Sequence, residues 1–237
     1  MHFLSKTTLS IALLAALCGT AQASVVNGNF ASGLSGWNTL GDASVQAGLL
    51  TLNTSTVVAD DMDALGNPVA SFNRSGTDAA EAGLLTAASA LAAGALDVSV
   101  FDAATEGALA QQSFSGNAGQ TLSFLWNFGT RDSFADYAFV VLDGVLLRLA
   151  GSADAILTST GDALLETGFS TYSLTLGSSG SHSLAFGVVD VGDTAVLSSL
   201  AIGDVQLSPA NTVPEPASLA LVALGLGFLG FKKYKTK

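Results

Sequence analysis

The chain has 237 residues, enough for one β domain with end segments and a core of its own. Its 8 Lys and Arg against 19 Asp and Glu give a formal net charge of −11, which argues against a DNA or RNA partner. With Cys18 the only cysteine and His2 and His182 the only histidines, no thiolate or imidazole cluster for zinc, copper or iron–sulfur can form within one chain.

Charge is distributed unevenly. Lys232, Lys233, Lys235 and Lys237 crowd the C-terminus and Lys6 lies near the start, so residues 24–213 carry 18 acids against Arg74, Arg131 and Arg148 only. Such a domain repels phosphate and attracts cations. Residues 1–23 follow the plan of a secretory signal: Lys6, an apolar stretch from Leu9 to Cys18, then the small triplet Ala21-Gln22-Ala23 before Ser24. Cleavage by signal peptidase is expected after Ala23, leaving a mature chain with no cysteine and hence no disulfide. The other reading, an N-terminal anchor, needs a longer apolar stretch than this one.

Residues 24–209 are expected to form one extracellular β domain. Leu122, Phe124, Trp126 and Phe128 share one parity, as do Tyr137, Phe139 and Val141, then Tyr172, Leu174 and Leu176, and Leu184, Phe186 and Val188. Each set predicts a half-buried strand. Asp143-Gly144 predicts a hairpin turn between residues 137–142 and 145–149. Short alternating strands separated by turn residues predict an all-β antiparallel sandwich. The exception is the alanine-rich run 77–95, interrupted by Gly83 and Gly94, which predicts a short helical insertion or an ordered loop across one edge of the sheets, with Thr77 or Asp78 as cap and Glu81 completing a capping box.

The opening Val25-Val26-Asn27-Gly28-Asn29-Phe30-Ala31-Ser32-Gly33-Leu34-Ser35-Gly36-Trp37 resembles the start of galactose-binding-like jelly rolls and related carbohydrate-binding modules. Phe30 is expected to plug the core, Gly33 and Gly36 to turn the chain, and Trp37 to begin a second strand. Leu200-Ala201-Ile202-Gly203-Asp204-Val205-Gln206-Leu207 resembles the last strand of the same folds. The resemblance therefore implies a jelly roll in which first and last strands are neighbours and Asn27 meets Asp204. The runs 104–108, 119–128 and 136–144 are similar to an extracellular family often found with the C-terminal signal described next.

Val213-Pro214-Glu215-Pro216 precedes fifteen uncharged, mostly apolar residues at 217–231 and the basic end 232–237. A helix of that length spans roughly 22 Å, and lysine snorkelling extends its reach into a bilayer of about 30 Å. The basic end would remain cytoplasmic, leaving the domain outside. Residues 210–237 thus resemble a PEP-CTERM sorting signal of Gram-negative bacteria. The resemblance implies that an exosortase cuts near Pro214, Glu215 and Pro216, and that the protein passes the inner membrane, is transiently anchored there and is then released to the envelope or extracellular polysaccharide. A plain tail anchor is the other reading.

Calcium is the expected small ligand, since it takes six to eight oxygens and acids here outnumber cations. In related jelly rolls an ion joins the first and last strands, so Asn27 and Asp204 form one candidate site; Ala31 and Gly203 stand where further carboxylates are usual. A second candidate combines Asp132 and Asp136 with Asp190, Asp193 and Glu106. Asp60-Asp61-Met62-Asp63 lacks the glycine and distal glutamate of an EF-hand loop and reads as a solvated turn. For carbohydrate, Phe134 in a polar loop is the ring most expected to be exposed. A Ser-His-Asp enzyme would have to use His182, and no Gly-x-Ser-x-Gly elbow accompanies it. The expectation is a non-catalytic, structural or adhesive surface protein associated with exopolysaccharide, the alternatives being a calcium-dependent carbohydrate-binding module and a glycan-active enzyme.

Overall fold

The computed structural model describes residues 24–58, 67 and 71–208. Ala21, Ala23 and the rest of the signal segment, the run Asp60-Asp61-Met62-Asp63, and Pro214, Glu215 and Pro216 with the apolar and basic segments after them lie outside the described residues.

The chain order is β1 (Asn38–Leu40), β2 (Asp42–Gln46), β3 (Leu49–Asn53), β4 (Ala80–Glu81), α1 (Ala82–Ala88), β5 (Ala104–Gly116) and β6 (Thr121–Thr130). It continues with β7 (Tyr137–Leu142), β8 (Val145–Gly151), a single 3-10 turn (Ser152–Asp154), β9 (Leu157–Thr158), β10 (Leu165–Glu166), β11 (Ser170–Thr175), β12 (Gly180–Val191) and β13 (Ser198–Leu207). One sheet runs β1-β5-β12-β7-β8, with β4 also on β5. The other runs β2-β3-β13-β6-β10-β9, with β11 also on β6. Every pairing is antiparallel, and the two sheets face each other as the expected β-sandwich.

Alternation explains the core. Leu122, Phe124 and Phe128 of β6 meet Leu184, Phe186 and Val188 of β12, with Leu50, Leu52, Leu200 and Ile202 beside them, all essentially inaccessible. Phe124 and Phe186 meet edge to face at 4.7 Å between centroids. Each such side chain contributes about 1.5–3 kcal/mol by leaving water. Asp143 and Gly144 join β7 to β8 with φ of 52° and 75°, the doubly left-handed turn that Asp-Gly favours.

Three expectations need correction. Residues 24–37 form successive turns rather than a first strand, which begins only at Asn38. Phe30 still plugs the core, its ring tilted against that of Trp37 at 5.4 Å between centroids. The short helical insertion is Ala82–Ala88, within the alanine-rich run, but Glu81 at its start makes no side-chain cap. Asp78 instead accepts a hydrogen bond from the Val57 amide at 2.6 Å, which removes the acid the capping box required.

The third concerns β7, which is buried on both faces rather than one. Ala138 and Val140 face the inter-sheet core, while Tyr137, Phe139 and Val141 join Leu85, Leu96 and Leu109 in a second cluster on the outer face of the sheet. The insertion therefore covers a sheet face, with only β4 on an edge. The Tyr137 hydroxyl fastens this cover by donating to the Leu96 carbonyl at 2.5 Å.

Candidate functional site

One end of the sandwich is polar between the sheets. Asp136, immediately before β7, is fully buried; its Oδ1 accepts from the Val191 amide at 2.9 Å and its Oδ2 from the Ser198 hydroxyl at 2.7 Å. Ser198 also contacts Thr130 Oγ1 at 2.8 Å, and its amide donates to Thr54 Oγ1 at 3.0 Å, so three strand ends meet around one carboxylate.

Asp190 lies at a register shift between β5 and β12, where Val189 pairs with Gly107 but Val191 with Ala104. It is 1% exposed, and neither of its carboxylate oxygens receives a hydrogen bond of acceptable geometry, although Thr54 is close. Its charged neighbours are Asp136 and Glu106. Toward solvent, Asp132 turns its own loop by accepting from the Ser133 and Phe134 amides, with its Oδ2 buried and unbonded, and faces the charge of Asp193. Asp193 in turn accepts from the Ala195 amide at 3.1 Å.

Electrostatics follow from this crowding. Burial pushes the Asp136 carboxyl up to about 6 against the opposing hydrogen bonds from Ser198 and Val191, and the Asp132 charge adds to the rise. Burial likewise raises Asp190 well above the ordinary carboxylate value, with Asp136 and Glu106 reinforcing it. Asp132 is raised mainly by burial, partly offset by the Phe134 amide.

No arginine relieves the crowding. The Arg74 Nε donates to Asp162 at 3.1 Å, Arg131 donates to the Asp162 carbonyl at 2.8 Å, and the Arg148 guanidinium sits 4.5 Å over the Tyr137 ring. The structure thus gathers Asp132, Asp136, Asp190, Asp193 and Glu106 at one end, as their positions beside strand ends suggested. Among the described residues, no three His, Cys, Asp or Glu side chains converge as a finished metal cage.

Asn27 and Asp204 fare differently. Their segments do adjoin, through the Val205 amide donating to the Gly28 carbonyl at 2.9 Å. The Asn27 side chain is engaged in its own turn, donating to the Gly33 and Ser35 carbonyls and accepting from the Ser32 amide. Asp204 is exposed at a bulge of β13, with φ 47°.

A second feature is an open groove of about 230 Å³ on the outer face of the β2-β3-β13-β6 sheet. Its lining includes Gln46, Thr51, Asn127 and Ser199, with Arg74, Asp162, Ser159 and Glu166 also contributing. Asn127 donates to Glu166 Oε2 at 3.0 Å, and Ser159 to the same oxygen at 3.2 Å. Asn127 was legible as the outward member between inward Trp126 and Phe128; Arg74 and Asp162 come from loops that no periodicity could align. Phe134 is half exposed, as expected, but its ring lies beside Gly192 at the acidic end and lines no part of this groove.

His182 is buried beside Phe114 with Nδ1 2.7 Å from Asp143 Oδ2, a His–Asp pair tying β12 to the β7–β8 turn. Its Nε2 is buried and touches no hydroxyl within hydrogen-bonding distance. Among the described residues, therefore, no Ser-His-Asp chain of contacts is assembled around His182.

Residues 212–233 match the PEP-CTERM protein-sorting motif. No curated protein matches the chain. Among solved structures, one described as "CBM4 structure and function" shares 9% identity at a TM-score of 0.35, covering 78% of this chain and 99% of its own. The K3 cleaved adhesin domain of Lys-gingipain from Porphyromonas gingivalis w83 shares 12% at 0.40, again covering 78% and 99%. A family 35 carbohydrate binding module from an environmental isolate shares 21% at 0.25, covering 50% and 83%.

Proposed function

We propose that this chain is an exported, exosortase-sorted and non-catalytic β-sandwich that serves the extracellular polysaccharide layer as a structural or adhesive component. The observation that carries the reading is the sorting motif at residues 212–233 behind a sandwich that ends at Leu207. Export by signal peptidase at Ala23-Ser24, and anchoring by the apolar tail until exosortase acts, complete the proposed route. The formal net charge of −11 supports the reading in so far as it keeps an exported chain soluble.

A second reading, direct glycan binding, is favoured by the groove. Its floor presents amides and hydroxyls from adjacent strands, and Glu166 is held in place by Asn127 and Ser159, which matches the hydrogen-bonding needs of sugar hydroxyls. Among the described residues none of its lining side chains is aromatic, so affinity would be modest and set by polar contacts.

Stripping the polysaccharide from producing cells tests both. The protein is expected to leave with that layer, and the Asn127→Ala and Glu166→Gln variants to dissociate from it at least several-fold faster if the groove holds the glycan. Unchanged dissociation would leave the passive structural reading, whereas retention of the parent protein in the cytosol would overturn both readings.

A further inference from the structure

The polar end of the sandwich contains a group that nothing so far explains. Asp190 is a carboxylate at 1% exposure with no donor in hydrogen-bonding position for either oxygen, its close partners being the Asp136 carboxyl and Thr54. Asp42 shows the contrast: also buried, it accepts from Asn53, Ser55 and the amides of Arg74 and Ser75. An isolated buried carboxylate is costly, and an adjacent carboxylate makes it worse.

Acids also line the approach to Asp190. Asp193 and Asp132 are half-buried at the mouth, Asp136 is fully buried behind them, and Glu106 faces Asp190 from β5. The three arginines of the described residues are committed elsewhere. Five acids graded from solvent to core attract a cation, and the donor set is wholly oxygen.

We propose that Asp190, with the Asp136 carboxyl beside it at the polar end of the sandwich, holds a hard divalent cation of the calcium class, drawn in by the charges of Asp132 and Asp193 toward solvent. The ion takes Asp190 and its nearest carboxylate neighbours and fills its remaining positions with neutral oxygens and water, since the side chains form no three-acid cage by themselves. Thr54, Thr105 and backbone carbonyls supply such oxygens nearby; Thr105 Oγ1 already donates to the Asp190 and Asp193 carbonyls and so holds the two acidic positions together. Calcium fits better than magnesium because it accepts irregular coordination, and better than zinc because no sulfur or imidazole is at hand. The ion would join β5, β7 and β12 to the start of β13.

The test uses the full chain at pH 7.5 after EGTA treatment and buffer exchange. Adding 5 mM calcium chloride is expected to raise the thermal unfolding midpoint by roughly 5–10 °C, with a smaller rise for magnesium. Asp190→Asn removes the buried charge and is expected to unfold no earlier than the parent in EGTA while losing the calcium response. Asp132→Asn, at the half-exposed mouth, keeps the proposal testable if the first variant does not fold; it is expected to weaken calcium binding about tenfold by calorimetry. Asp204→Ala is expected to respond to calcium like the parent.

No calcium response in the parent would overturn the proposal, indicating a carboxyl pair that simply shares a proton. So would an undiminished response in Asp190→Asn, or in Asp132→Asn should the first not fold. Loss of the response in Asp204→Ala alone would overturn it in favour of the Asn27 and Asp204 site.

Discussion

Gly28 and Asp136 show how single residues decide the two places where distant segments meet. A methyl group on Gly28 would run into the Val205 carbonyl, so only glycine lets the N-terminal turns lie against the last strand. Asp136 joins strand ends through Val191 and Ser198, at the cost of a carboxyl pushed up to about 6. Its pKa in the unfolded chain is near 3.8, so the folded state binds the proton more tightly. The associated stability is fully present below about pH 4 and is lost as pH rises through about 6, a change on the order of 3 kcal/mol. Asp190, raised in the same direction, adds to it. In EGTA, urea unfolding followed from pH 4 to 7 is expected to show stability falling, and Asp136→Asn to flatten that slope. Stability rising steadily over the interval in EGTA would contradict the burial and crowding described here.

Elements differ in how far their own sequence specifies them. The β6 and β12 strands are legible because alternate residues enter one core, and the β7–β8 hairpin because Asp-Gly suits its turn. The double burial of β7 is not, because its cover, Leu85 and Leu96, is separated from it by some forty residues. The helix bounds were not legible for the same reason: within the alanine-rich run the chain forms one short helical stretch that seats Leu85 and then turns to seat Leu96. Asp132, Asp136, Asp190 and Asp193 were readable as a group since strand ends share a sandwich end, whereas the loop acid and arginine of the groove were not. Leu85→Ala is expected to destabilise the domain by about 2–5 kcal/mol in urea unfolding and to expose the 82–88 amides to hydrogen exchange. A loss below about 1 kcal/mol would show that the helix is a dispensable attachment.

Across the whole molecule, unlike segments have unlike tasks. The sandwich is acidic and cysteine-free after residue 23, so its stability comes from packing, hydrogen bonds and, under the proposal above, an ion. Among the described residues no helix is long and apolar enough to cross a membrane. Residues 212–233 carry the sorting motif. The groove lies on the outer face of one sheet and the acidic end between the sheets, with Asn53, Gly129 and Ser199 of the first next in sequence to Thr54, Thr130 and Ser198 of the second. Intact mass spectrometry of the protein released at the surface of producing cells tests the central claim most directly. The account predicts a species that begins at Ser24 and ends near Pro214, Glu215 and Pro216, without the apolar and basic tail. A full-length species with both ends uncut, recovered from the cytosol, would contradict it.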